Sequence, residues 1–388
     1  MSSPFLHLCY RELRRILGDQ RIYGLLLAGP FFYAFAFGGV YWEGRTKYVP
    51  IVIVDEDHSA LSRDITRALQ SSDSVSVAGW LNSPEEFLPL LRRERAYACV
   101  IFPPKFEHDV LDGRAPRVGA LFDGSHVLIA ATALGAIRNV VTSFQVAVNG
   151  IELSTAGVPR TEGRVLARPI QAVIRPVFNP TLNYSYFMLM CLVCVATQSV
   201  TRMSCGIALG LDSSEQIRRD TGNDSTPILW VFLSKVVGTA ALVIPAAATA
   251  MWFVFVLFGA PNRGNALLIG LALSLFVIIQ VCIAYGYYGL FQSPVLCTQF
   301  HMFTAVLFSI LSGYTWPYYG MPEGLQFISM SIPVFNVISI VRRVSLMGAG
   351  PSLLTKYFLA LLVWLLVAAA WGYWAVRKQM KLESAPCE

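Results

Sequence analysis

The sequence predicts an α-helical polytopic membrane protein with six transmembrane helices and an extracytoplasmic α/β domain inserted between spans 1 and 2. Three observations carry that reading. The 388 residues are 55% hydrophobic and 14% charged, with a mean hydropathy of +0.54, whereas soluble domains carry about 25% charged residues. The charges are segregated: residues 176–201, 236–262, 264–300 and 357–376 contain no Lys, Arg, Asp or Glu. Each stretch can supply the roughly 20 apolar residues that a spanning helix needs. Between residues 42 and 175 the chain instead becomes charged, with β-branched runs alternating with amphipathic segments, the pattern of a compact α/β unit.

The N-terminal segment 1–20 places Phe5, Cys9, Leu13 and Ile16 at helical spacing, with Arg11, Arg14 and Arg15 largely on other faces. That predicts an amphipathic interfacial helix leading into an uncleaved first span at 21–41, although Ala34-Phe35-Ala36 imitates a signal-peptide cleavage site. The further spans are expected at about 182–206, 228–258, 266–291, 297–316 and 355–376. Arg11, Arg14, Arg15 and Arg21 precede the first span, Arg377, Lys378 and Lys381 follow the last, and Arg218 and Arg219 lie in the 207–226 connection. The positive-inside rule therefore puts both termini, the 377–388 tail and 207–226 in the cytoplasm. Arg342 and Arg343 run against it, because the span count leaves them outside. Lys235 is expected at the cytoplasmic end of span 3, snorkelling to the headgroups. Pro317, Pro322, Pro333 and Asn336 interrupt 317–348, which predicts a re-entrant pair of half-helices entering from outside.

Within the extracytoplasmic domain (42–181), strands are expected at Val49–Val54, Val75–Ala78, 97–102 and 117–122. Helices are expected at 59–70 and 126–150, with a further start at Ser83-Pro84-Glu85-Glu86, where Ser caps and the acids meet the dipole. Asp55, Glu56, Asp57 and His58 cluster at a strand end, a common ligand position in α/β folds. A turn followed by a helix N-terminus accounts for them better, and no G-x-S-x-G or H-E-x-x-H accompanies them. No catalytic or metal site is predicted. Of the eight cysteines, only Cys99 falls in the polar segment, so that segment holds no internal disulfide. Cys191 and Cys194 form C-x-x-C inside an apolar span without nearby His or acid, which favours helix packing over redox or zinc chemistry. The net charge of +6 flanks the spans rather than forming an aromatic-interleaved patch, so nucleic acid is not an expected partner.

Three motifs give the chain a resemblance to a known family, the permease subunits of ABC-2 type exporters. "SGYTWPYYGMPEGLQFIS" (312–329) is similar to that family's S-G-x-x-x-P-x-x-x-M-P pattern between the last two spans, which singles out Gly313, Pro317, Met321 and Pro322 on the exit side. "IVIVDEDHSALSRDITRAL" resembles the start of its extracytoplasmic domain, and "FNPTLNYSYF" (178–187) the entry into its second span. After span 2 the family's R-E-x-E-x-G-T-x-E-x-L docking helix is replaced by "GLDSSEQIRRDTGNDST" (210–226). The resemblance implies ATPase coupling there, through Glu215, Gln216, Arg218 and Arg219.

The resemblance further implies a dimeric path built with a second copy or a paralogous permease, multi-pass in a bacterial inner membrane. No cofactor is expected on this chain: ATP and Mg belong to separate ABC ATPase subunits, consistent with the absence of any G-x-x-x-x-G-K-[ST] phosphate loop. Besides membrane lipid, a periplasmic adaptor is a candidate partner. A cleft lined by Tyr184, Phe187, Met188, Met302 and Phe303 suits hydrophobic or amphipathic cargo, although core packing explains these residues equally well. Two other classes compete. A membrane sensor with an extracytoplasmic ligand-binding domain calls for a substantial cytoplasmic output domain, and an ion-coupled secondary transporter normally shows intramembrane acids and repeated halves. Neither is present, and Gln280, Gln299 and His301 are expected to be interhelical hydrogen-bonding groups.

Overall fold

The computed structural model describes residues 4–43, 46–112, 114, 116–123, 127–155, 178–179, 183–210 and 227–382. It divides into two compact units, Met1–Gly44 with Pro176–Glu388, and Arg45–Arg175. The first unit opens with helix α1 (Pro4–Gly18), which buries Leu8, Cys9, Glu12 and Ile16 and exposes Leu6, Tyr10 and Leu17. Asp19 then caps α2 (Gln20–Val40) by accepting from the Arg21 N–H at 2.9 Å.

The second unit runs β1 (Val49–Asp55), α3 (Ala60–Gln70), β2 (Val75–Leu81), α4 (Phe87–Arg92), β3 (Ala98–Phe102), α5 (Phe106–Leu111), β4 (Gly119–Phe122) and α6 (Val127–Thr155). The sheet order is β2-β1-β3-β4. Central β1 pairs in parallel with β2 and β3, and β4 closes antiparallel on β3. A strand buried on both faces needs a continuous apolar run, and Ile51, Val52, Ile53 and Val54 supply it. Ile51, Ile53, Val100 and Phe102 pack with Ile65 and Leu69 of α3 and with Ala133 and Ile137 of α6. Val52, Val54 and Cys99 pack on the opposite face with Phe87. Ser59 Oγ caps α3 by accepting from Ser62 N–H at 3.1 Å. Ser83 Oγ likewise accepts from Glu85 N–H at 3.3 Å, but the turn it opens, Pro84–Glu86, is a 3-10 turn preceding α4.

The first unit resumes with α7 (Tyr184–Gly210), α8 (Ile228–Val256), α9 (Ala266–Phe291), α10 (Pro294–Leu311), α11 (Glu323–Ser331), α12 (Pro333–Met347) and α13 (Pro351–Leu382). Six helices, α2, α7, α8, α9, α10 and α13, are long and apolar enough to cross a membrane, and α11 with α12 form a further pair bent by 80°. α10 starts earlier and ends earlier than its sequence predicts. Ser293 and Pro294 begin it, and a left-handed Gly313 (φ +74) turns the chain just after it ends.

Side-chain contacts define two ends of this unit. At one, Ser185 Oγ donates to the Tyr41 carbonyl, Trp42 meets Phe258 at 5.8 Å, and Arg263 N–H donates to Ser345 O at 2.9 Å. α12 therefore finishes beside the turn that follows α8. At the other end, Phe5 of α1 meets Trp230 at 5.5 Å and Lys378 Nζ donates to Gly289 O at 3.2 Å. α9 packs tightly on α13: a Cβ on Gly289 would stand 2.3 Å from Ala375 Cβ. Small residues let apolar helices touch backbone to backbone, gaining dispersion contact where lipid offers no hydrophobic drive.

Candidate functional site

Inside the first unit, charged groups meet at the α1 end. Glu12 is 1% exposed and lies 2.6 Å from Arg15 and 3.9 Å from Lys235 of α8. Gly238, one turn along α8, makes room, since a Cβ there would stand 2.9 Å from Glu12 Cγ. Lys235 is 2% exposed. The expected snorkelling is thus corrected: the ammonium turns inward to a carboxylate from α1, because a buried pair avoids exposing a lone charge to hydrocarbon.

A second polar centre escaped the sequence reading. Arg202 of α7 is 2% exposed. Its Nε donates to Gln280 Oε1 of α9 at 2.6 Å, and its Nη1 stands 3.4 Å from His301 Nδ1 of α10. The Tyr287 and Phe308 rings lie 5.7 and 5.6 Å from the guanidinium carbon, the reach of a cation–π contact. No carboxylate pairs with Arg202 among the described residues, and its Nη2, with Gln280 Nε2, His301 Nε2 and both side-chain polar atoms of Gln198, lacks a hydrogen-bond partner. Gln280 and His301 therefore join helices through Arg202, whereas Gln299 is exposed. The signal in the sequence is Arg202 itself, which ends the charge-free run 176–201.

At the Tyr41 end lies a cavity of about 250 Å³, with walls from α7, α11, α12, α13 and the turn after α10. Phe187 stacks on Tyr314 at 4.2 Å, and Tyr318 meets Phe335 at 5.6 Å. Gly313 and Pro317 also line it. Gly313 has to be glycine twice over: its φ is +74, and a Cβ would stand 3.0 Å from the Phe335 ring. Met321 is buried, its carbonyl accepting from Gln326 Nε2 at 2.8 Å, and Pro322 begins α11. Arg342, Arg343 and Lys356 line the same cavity.

Of the cleft candidates, Tyr184 sits 5.3 Å from Tyr41 and 6.1 Å from Phe187, and Met188 is half-buried beside them on α7. Met302 and Phe303 occupy the exposed face of α10, 58% and 64% accessible. Glu215, Gln216, Arg218 and Arg219 lie outside the described residues.

In the second unit the Asp55 and Asp57 side chains are spent on local structure, while Glu56 and His58 are exposed. Asp55 Oδ1 accepts from Asp57 N–H at 3.1 Å and His58 N–H at 2.9 Å, and Oδ2 accepts from Ser62 Oγ at 2.7 Å. Asp57 Oδ2 accepts from Glu107 N–H at 3.0 Å, in the first turn of α5. Burial raises the Asp57 carboxyl, but the hydrogen bonds from Ser59 and the backbone at 105–107 outweigh it, so the net shift is downward. No three His, Cys, Asp or Glu side chains gather as a metal site among the described residues. Cys99 is a buried free thiol that burial pushes up to about 11. Cys191 and Cys194 are buried free thiols in the helical core.

A family model described as ABC-2 family transporter protein matches residues 22–374, from within α2 to within α13. The chain belongs to the ABC-2 transporter family. This ABC-2 permease is 25% identical over 373 residues to the inner membrane transport permease YhhJ of Escherichia coli (strain K12), with 91% of each chain covered. The match to the Shigella flexneri permease of the same name is of equal extent. It is also 24% identical over 320 residues to the probable multidrug ABC transporter permease YbhR of Escherichia coli (strain K12), covering 81% of this chain and 82% of that one. With its apolar helices, the ABC-2 permease is a multi-span membrane transport protein.

Proposed function

We propose that this permease forms half of the membrane path of an ATP-driven exporter, pairing with a second permease and powered by separate ATPase subunits that hold ATP and Mg. One observation carries the reading: the family match spans 22–374 in a chain whose sequence has no G-x-x-x-x-G-K-[ST] loop. The path and the engine are then different chains. In this reading both termini and 207–226 face the cytoplasm, with Glu215, Gln216, Arg218 and Arg219 taking the ATPase stroke. Residues 45–175 lie outside as a docking or gating element, and a periplasmic adaptor is a candidate for receiving cargo there. The bent α11–α12 pair is a re-entrant segment beside six spans; the bonds from Arg263 to Ser345 and Leu346, which tie the end of α12 to the turn after α8, support this.

Dimerisation draws support from the broad apolar faces left uncovered on α10 (Met302, Phe303, Val306) and α13 (Leu362, Leu366). A second permease or lipid must cover them. The neighbouring rings of Tyr184 and Phe187 and the similarity to YbhR, a probable multidrug permease, support hydrophobic or amphipathic cargo. Changing Glu215 and Arg218 together to Ala tests the coupling. ATPase stimulation should fall while the protein still inserts; full stimulation in that variant would refute the assignment.

A further inference from the structure

We propose that the cavity at the Tyr41 end binds the anionic head group, phosphate or carboxylate, of an amphiphile whose apolar part lies against the aromatic wall. Three cations line it, Arg342, Arg343 and Lys356, and none of the lining residues is acidic. No carboxylate pairs with them among the described residues, and the Nε atoms of both arginines are buried without an acceptor. Two of these cations rest on one ring. Tyr357 lies 5.1 Å from Arg343 Cζ and 5.0 Å from Lys356 Nζ. A ring quadrupole positions a cation but leaves its charge unneutralised. Adjacent guanidinium groups with free N–H donors suit the oxygens of a phosphate or carboxylate, which can accept paired hydrogen bonds.

Size and walls narrow the ligand. About 250 Å³ falls below the roughly 300–1,000 Å³ typical of drug-sized sites, so the cavity takes a head group rather than a whole amphiphile. The stacked Phe187–Tyr314 pair and Phe335 offer the adjoining apolar part a dry surface. A ligand also accounts for the two arginines that defy the charge rule, since α12 ends beside the 257–265 turn, at the end of the unit opposite α1. Binding as such is independent of the ATP-driven reading; a role in export rests on it.

The test uses the full-length protein in phosphatidylcholine nanodiscs and two probes. Dodecyl phosphate is titrated from water by calorimetry, and phosphatidylglycerol is supplied in the bilayer and counted by native mass spectrometry. At least one should bind saturably, weakening roughly tenfold or more in Arg342→Gln/Arg343→Gln/Lys356→Gln, with Arg342→Lys/Arg343→Lys losing less. Capture of phosphatidylglycerol alone identifies membrane lipid as the source, and capture of dodecyl phosphate alone identifies a cargo-like amphiphile. Lys356→Gln alone, at an exposed position, keeps the test open if the triple variant fails to fold; it should weaken binding measurably. Failure of both probes to bind, or unchanged affinity in a folded Gln variant, would overturn the proposal without touching the ATPase assignment.

Discussion

Glu12 of α1 and Lys235 of α8 face each other at 3.9 Å, both almost wholly buried. The amphipathic N-terminal helix is thereby fastened to a long apolar helix by charge as well as by apolar contact. Glu12→Gln removes the carboxylate that Lys235 and Arg15 share and should cost roughly 3 kcal/mol, since breaking a buried ion pair is strongly destabilising. Glu12→Gln/Lys235→Met should recover most of that loss. Thermal melts of the purified full-length variants measure both, and an unchanged melt for Glu12→Gln would show the pair to be idle.

Arg202 and Gln280 form the second buried cross-link, at 2.6 Å. Gln280→Leu removes the acceptor from a guanidinium that meets no carboxylate among the described residues, and should destabilise by about 1–3 kcal/mol. Gln280→Leu/Arg202→Met should return toward the parent, because the orphaned charge leaves with its partner. Arg202→Lys should not substitute, as one ammonium cannot reach Gln280 and His301 in the same fork. Additive losses in the double variant would contradict the coupling.

Gly289 stands at a tight contact between α9 and α13. A Cβ there would meet Ala375 Cβ at 2.3 Å and its Cα at 2.8 Å, so backbone must move. Gly289→Val should cost about 1–3 kcal/mol through overpacking, whereas Gly270→Ala, with nothing within 4 Å, should fold normally. Yield of monodisperse protein after size exclusion compares the two.

Asp57 sets a pH dependence in the second unit. Its carboxyl is held below the ordinary value when folded, so its contribution is fully present above about pH 4, the unfolded value, and is lost as pH falls through the folded one. The Glu107 amide that it accepts from should exchange faster with solvent in Asp57→Asn. The acid-dependent part of that exchange should also shrink. Hydrogen exchange followed by mass spectrometry on the full chain reads both.

What the sequence disclosed follows from the range of each signal. Runs free of charge are one-dimensional facts, so α9 at Ala266–Phe291 was legible to the residue. The strand carrying Ile51–Val54 declared itself by β-branching, and Ser59 by its capping position. The cavity was half legible. Gly313 and Pro317 stood out by motif, and Arg342 and Arg343 by their breach of the charge rule. Lys356 and Tyr357 carried no local signal, because only folding brings α12 and α13 together around them. Lys235 was misread for the same reason. Its partner Glu12 lies far away in sequence, on a helix read as lying on lipid rather than against protein.

The central claim is that this chain is the path and another chain the engine. Affinity purification from membranes, followed by ATP hydrolysis assays of the chain alone and of whatever ATPase accompanies it, tests that directly. The account predicts a stoichiometric ABC ATPase in the purified complex, nucleotide hydrolysis that the permease modulates, and none from the permease by itself. Hydrolysis by the isolated chain, or a complete transport cycle driven by an ion gradient with no ATPase bound, would contradict it.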